Sequence, residues 1–375
     1  MDPRNQKDKK WYEVENVGDI PSPALLLYPE RIEINIRLML VIAGSPQRLR
    51  PHVKTHKMGE IIRLQIKQGI EKFKCSTIAE VELAADHGAT DILLAYQPVG
   101  PGLSRFLTLQ KKFSGVRFST IIDSEKVLQQ ISEASRSAEV ETTVFLDINN
   151  GMNRTGMAPG EEAVRLYQTL CHLPSVKAGG LHVYDGHIRE SDPHRRSTIC
   201  NAAFEPVLAL LRELENLGLP VPVIVAGGTP TFPLHAGRER VEVSPGTVLL
   251  YDEGYHASYA DLPFLPAALL LTRIVSKPGN RLLCLDLGHK AVGSEMPHPR
   301  VKLLGLDPLR VTNHSEEHLV IECEQDDRWS VGDPVYGIPT HICSTVARYP
   351  SAWVIRNHQA VCEWAIEAQN RKITI

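Results

Sequence analysis

The run Ala24-Leu25-Leu26-Leu27-Tyr28 and the segment that follows it decide the fold. A helix-period stretch through Ile32, Ile34, Ile36, Leu38 and Val41 comes directly after this apolar strand, which makes one βα unit. The alternation returns with Ile92-Leu93-Leu94-Ala95-Tyr96, with Thr143 to Ile148 and with Val221 to Ala226. Helix formers fill the gaps, as in Ile78 to His87 and in Phe204 to Leu217, which Gly218 stops. Apolar strands that do not alternate with polar residues belong to a parallel sheet covered on both faces. About eight units occur, enough to close a TIM-like (β/α)8 barrel over residues 22–262. A doubly wound open sheet is the alternative, but no Gly-x-Gly-x-x-Gly follows the first strand.

After Pro263 the helices disappear. Ala268 to Val275, Arg281 to Asp286, His318 to Cys323 and Ala352 to Arg356 are short β runs. Pro278-Gly279-Asn280 and Asn357-His358 supply turn chemistry between or after them. An antiparallel β domain is therefore expected over 263–375, with residues 1–21, Trp11 and Tyr12 included, packing onto it.

Bulk properties bound the function. A chain of 375 residues with net charge -3 carries no basic footprint, which argues against a nucleic-acid partner. Seven dispersed cysteines without paired spacings read as reduced thiols of a cytoplasmic protein. The polar stretch Met1 to Lys10 is no secretory signal, and no apolar run reaches membrane-spanning length.

The chemistry concentrates at strand ends, where barrels place their active sites. Arg50-Pro51-His52-Val53-Lys54-Thr55-His56-Lys57 sets a lysine among cations and histidines. Such surroundings, with partial burial, favour the neutral form of an amine, the form that attacks a carbonyl. Schiff-base chemistry with pyridoxal 5'-phosphate (PLP) is the commonest use of a lysine of this kind; a basic loop without a ligand is the plainer alternative. Arg154 follows the strand ending at Ile148, and His182-Val183-Tyr184-Asp185-Gly186-His187 closes the next. Gly227-Gly228-Thr229 and Ser244-Pro245-Gly246-Thr247, on adjacent units, offer backbone N–H groups and hydroxyls to a phosphate. His341-Ile342-Cys343, read as extended, would point imidazole and thiolate to one side and so at one ion, Zn²⁺ before Mg²⁺ or Ca²⁺. A buried cysteine beside a solvent-facing histidine is the alternative there.

Taken together and in this order, these motifs resemble the D-threonine aldolase and D-serine dehydratase family, which shares the alanine-racemase-like PLP fold. The resemblance runs from about Pro21 to Ile375 and rests on the Lys54 octapeptide and the His-x-Cys segment above all. It implies that Lys54 carries PLP, with His52 beside it, and that Arg154 faces the pyridine nitrogen. It implies cofactor- or substrate-facing roles for Tyr184 and His187, a phosphate cradle of Gly228, Thr229, Ser244, Gly246 and Thr247, and a metal pair of His341 and Cys343. The expected reaction is retro-aldol cleavage of a D-3-hydroxy amino acid to glycine and an aldehyde, with a divalent metal (Zn²⁺, or Mn²⁺) on the β-hydroxyl and His187 as base. The alternative is dehydration of D-serine or D-3-hydroxyaspartate to a 2-oxo acid and ammonia, to which the His-x-Cys form is similar. A racemase of the same fold and a non-enzymatic PLP-binding protein are more remote. A homodimer is the expected assembly.

Overall fold

The computed structural model describes residues 9–375. The chain divides into two compact units, one built on residues 36–248 with 258–263 and 370–375, the other on the N-terminal residues to Asn35 with 249–257 and 264–369.

In chain order the first elements are β1 (Ala24–Leu27), α1 (Pro29–Ala43), α2 (Gly59–Ile66), β2 (Lys72–Cys75), α3 (Ile78–Asp86), β3 (Asp91–Leu94) and α4 (Pro101–Lys112). They continue with β4 (Arg117–Ile122), α5 (Glu125–Ser137), β5 (Thr142–Ile148), α6 (Glu161–His172), β6 (Val176–Val183), α7 (Pro193–Asn216), β7 (Val223–Ala226), α8 (Phe232–Ala236) and β8 (Val241–Val243). Strands β2 to β8 pair in sequence order, all parallel. Residues 49–52 complete the ring. Leu49 bridges Val243 on one side and His52 bridges Lys74 on the other. Arg50 N–H donates to the Val243 carbonyl, and Lys74 N–H to that of Pro51, each at 2.9 Å. Leu93, Ile121, Phe145 and Val225 fill the interior. In β6, Gly180 has φ +121°, and a Cβ there would lie 1.9 Å from the Val223 carbonyl oxygen, so only glycine fits.

The barrel's first strand differs from the expectation. Ala24–Leu27 pairs with two strands of the other unit, antiparallel to β9 (Ala268–Gly279) and parallel to β15 (Ser351–Arg356). An all-apolar four-residue run has the same appearance in either sheet, since both bury it on two faces; the periodicity identified a strand but not its partner. The remaining strands of this sheet, β10 (Leu282–Leu285), β11 (Val301–Leu304), β12 (Arg310–His314), β13 (Leu319–Glu322), β14 (Pro334–Pro339) and β16 (Gln359–Ala365), pair antiparallel throughout. Tyr12, Val14 and Ile20 are buried in its core against Leu269, Leu271 and Tyr336.

Candidate active site

Two ends of the barrel are polar, for different reasons. At the N-terminal end of the strands Arg50 is buried, with Nε 2.7 Å from Glu242 and Nη1 2.6 Å from Asp91. Lys57 likewise pairs with the buried carboxylate of Glu80. The two flanking cations of the octapeptide are thus neutralised away from Lys54.

At the C-terminal end a cavity of ≈ 590 Å³ opens among the strand ends, a size that suits a small-molecule site. His52, Lys54, Lys74, Arg154, His182 and Tyr184 all line it. Lys54 sits half-buried in the turn after the closing strand segment, its N–H 3.3 Å from His52 Nδ1. The Tyr184 ring collects three cations: Lys54 Nζ at 5.6 Å from its centroid, Lys74 Nζ at 5.7 Å and Arg154 Cζ at 4.8 Å. Burial, then Lys54 and Lys74, hold His52 well below the usual imidazole range, so it is neutral.

Each of these side chains is aimed by a local device. Asn149 Oδ1 accepts from the N–H groups of Gly151 (3.1 Å) and Asn153 (3.0 Å), and Asp123 accepts from Gly156 N–H at 2.9 Å; together they shape the turn that presents Arg154. His182 Nδ1 donates to Asp147 at 2.7 Å. Its Nε2 is buried without a protein partner, and burial keeps the ring below its ordinary pKa. His187 lies half-buried against Gly151, where a Cβ would come within 2.7 Å of its Nε2, and its Nδ1 has no partner.

The glycine-rich turns sit beside this group. A Cβ at Gly228 would be 3.3 Å from the Tyr184 ring, and one at Gly246 would be 3.0 Å from His52 Cβ. Thr229, Ser244 and Thr247 are buried, and Ser244 Oγ donates to the Arg50 carbonyl at 2.7 Å. Behind the first turn lies a cluster absent from the sequence reading. Asp185 Oδ2 is 2.7 Å from His235 Nε2, its Oδ1 accepts from Thr231 Oγ1 at 2.8 Å, and Cys200 Sγ is 3.5 Å from His235 Nε2. Asp185, Cys200 and His235 offer three ligand-type atoms within 4.8 Å of one another. The 2.7 Å contact is a direct hydrogen bond, which holds the cluster without an ion.

In the other unit, His341 is extended (φ -135°, ψ 104°), but Ile342 and Cys343 already belong to a helical turn, so the three residues are not one extended segment. His341 caps a short helix, Ile342–Val346, whose second residue is Cys343, because Asp252 accepts the Ile342 N–H at 3.0 Å and starts the turn. Imidazole and thiol still meet in a hydrogen bond, and the Glu295 carboxylate holds His341 Nδ1.

PLP fits the barrel cavity by its size, by its excess of cations and by the unpartnered His182 Nε2, an open place for a ligand's polar atom. A thiol in contact with an imidazole fits Zn²⁺ as a donor set. The sequence assigned no role to Lys74, His182, Asp147 or Arg371, all of which line the cavity, although His182 heads one of the strand ends it singled out. Lys74 had one available signal, a second lysine in a strand whose neighbours Phe73 and Cys75 are core types.

A (β/α)8 barrel with a lysine at its mouth and an accompanying β domain defines the alanine-racemase-like class of PLP enzymes. Residues 28–253 match the alanine racemase N-terminal domain and residues 267–355 the serine dehydratase domain. The chain is 26% identical over 356 residues to D-threonine aldolase of Arthrobacter sp, covering 93% of each chain. It is 24% identical over 370 residues to D-threo-3-hydroxyaspartate dehydratase of Delftia sp. (strain HT23), covering 92% of this chain and 97% of the other. The crystal structure of D-threonine aldolase from Filomicrobium marinum superposes with a TM-score of 0.84 at 26% identity, over 94% of this chain and 97% of that one. The chain therefore belongs to the alanine racemase-like family of PLP-dependent D-threonine aldolases and D-serine dehydratases.

Proposed function

We propose that the protein is a PLP- and divalent-metal-dependent lyase that cleaves D-3-hydroxy amino acids to glycine and an aldehyde. The observation that carries this reading is the convergence of Lys54, Arg154 and Lys74 on Tyr184 at the mouth of a barrel cavity of ≈ 590 Å³. Lys54 is the attachment point for the cofactor, and His52, neutral, supports the turn that carries it. The turns at Gly228-Thr229 and Ser244 to Thr247 bind the phosphate through backbone N–H groups and hydroxyls. Arg154, on the cavity wall, would face the ring nitrogen and keep it unprotonated. When bound, PLP supplies the sink for the electron pair released at Cα. His187 takes the proton of the β-hydroxyl, whose acidity a metal held by His341 and Cys343, Zn²⁺ before Mn²⁺, increases.

Dehydration to a 2-oxo acid and ammonia is the second reading. The His341-Ile342-Cys343 form, which resembles that of the dehydratases, favours it. In that reaction Lys54 removes the Cα proton instead. Free thiols at all seven cysteines and the lack, among the described residues, of any helix able to cross a membrane support a cytoplasmic site of action. We expect a homodimer.

The test incubates the PLP-loaded protein and Zn²⁺ or Mn²⁺ with D-threonine and with D-serine. Glycine and acetaldehyde from D-threonine support the proposal; 2-oxo acid and ammonia support the second reading. Racemised amino acid alone, or no product from a protein shown to hold PLP on Lys54 after borohydride reduction, would overturn both.

A further inference from the structure

The second strand of the barrel carries Lys74 into the cavity at 2% exposure. Among the described residues its ammonium has no hydrogen-bond or ion-pair partner, only the Tyr184 ring at 5.7 Å. The carboxylates that face it are already engaged. Asp147 binds His182 at 2.7 Å, and Asp185 binds His235 at 2.7 Å and Thr231 at 2.8 Å. Its other charged or titratable neighbours, Lys54, Arg154, His52 and His182, are cationic or neutral.

An ammonium group buried without a counter-charge destabilises a fold, and a methionine or leucine of similar volume would fill the place without that cost. The group gains its partner when an anion enters the cavity. The phosphate of the cofactor has its own turns, at Gly228-Thr229 and Gly246-Thr247, which do not line the cavity. The cofactor's ring oxygen lies next to the aldehyde that Lys54 attacks, so Lys54 is its nearest cation, and the anions that remain are the carboxylates of the substrate. With Lys54 and Arg154 committed to the cofactor in the reading above, two cations on the cavity wall are uncommitted, Lys74 within and Arg371 on the rim. We propose that Lys74 is the carboxylate-binding, specificity-determining residue of this site, and that the substrate it selects is a D-3-hydroxy amino acid with a second carboxylate on its side chain. The inference rests on the lyase reading for the substrate's backbone but not for the binding of the anion.

Burial, then the charge of Lys54, lowers the Lys74 pKa to about 7, so an incoming carboxylate must raise it again and draw in a proton. The experiment measures binding of succinate and of propionate to the PLP-loaded protein by calorimetry, in buffers of different ionisation enthalpy. Succinate should bind more tightly than propionate, with net proton uptake at pH 8 and weaker binding as pH rises further. Lys74→Met should weaken succinate about 10- to 100-fold and abolish the proton uptake, while Lys74→Arg retains most of the affinity. In turnover, the kcat/KM preference for D-threo-3-hydroxyaspartate over D-threonine should fall at least about 10-fold in Lys74→Met, the loss of one charge-assisted contact.

Unchanged succinate affinity in Lys74→Met overturns the proposal. So does an equal loss for both acids, and so does a changed cofactor absorbance and affinity with discrimination intact, which would assign the lysine to the cofactor. If neither amino acid is turned over, the lyase reading fails, and the calorimetry still decides on Lys74.

Discussion

His187 and Lys74 show how much a single residue's surroundings add to its identity. His187 is kept half-buried by the close approach of Gly151, with one ring nitrogen free of protein partners. His187 is not among the residues that line the cavity and its unpartnered Nδ1 is buried, so a base at this position has to turn that nitrogen toward the substrate. Replacing it with asparagine should lower glycine formation by about 10²–10⁴, the usual contribution of a general base. Any 2-oxo acid formation should fall much less, because its proton leaves Cα. Quantifying both products in wild type and variant tests this, and small equal losses in both would leave His187 a packing residue.

At this scale the sequence was informative about residue types and poor about neighbours. It singled out Lys54 and surrounded it with Arg50 and Lys57, yet both of those pair with buried carboxylates. The cations that do share the Tyr184 ring with Lys54 come from β2 and from the turn after β5. Adjacency along a strand alternates sides, whereas adjacency around a barrel mouth joins residues from successive strands.

At the scale of elements, the Asp185–His235 pair ties the loop after β6 to α8, and Cys200 brings α7 to the same point. Asp185 lies below its usual carboxylate range, and His235 is raised to about 9, burial opposing and the Asp185 hydrogen bond favouring its charge. A histidine whose folded pKa lies above its unfolded value stabilises fully below about pH 6.5, and that contribution is lost as pH rises through about 9. His235→Gln should therefore destabilise by about 3–5 kcal/mol near neutrality, the cost of leaving a buried charge unpaired. Thermal melts across pH should also show that the decline of stability between pH 6.5 and 9 is reduced in the variant. Because Thr231 and the Gly227-Gly228 turn hang on Asp185, PLP should bind more weakly as well; unaltered PLP affinity would detach the cluster from the cradle.

Elements were legible wherever period and length agreed. The strand at Thr142–Ile148 and the helix at Ile78–Asp86 lie within a residue of the expected runs. The segment before Lys54 reads as the end of a strand, and residues 49–52 do pair on both sides, though with Pro51 among them only two isolated bridges form. The extended reading holds at His341 and fails at Cys343, because the carboxylate that starts the helical turn, Asp252, is remote in sequence.

For the molecule as a whole, the cofactor cavity is lined entirely by residues of the barrel unit, and His341 with Cys343 belong to the other. Removal of metal and removal of PLP should then be separable. Chelation is expected to abolish turnover while the absorbance of bound PLP stays nearly unchanged, and Zn²⁺ should restore activity. Cys343→Ala should lose most of the metal, with PLP content preserved; full metal content and activity in that variant would make the pair structural. Ligand deprotonation requires that metal content also fall as pH drops through the histidine range.

The placement of β1 bears on how the chain is made. During synthesis Ala24–Leu27 leaves the ribosome early, but its partners, Ala268–Leu271 and Trp353–Val354, are translated only after the entire barrel. An apolar strand with both edges unpaired is a site of mispairing between nascent chains. The contiguous barrel segment can meanwhile close on itself, since all its strands lie between residues 49 and 243. Ribosomes stalled before residue 268 should therefore carry a protease-resistant barrel and a still-cleavable segment at 24–27, and the later translation of residues 268–271 and 353–354 converts that segment into the centre of a sheet.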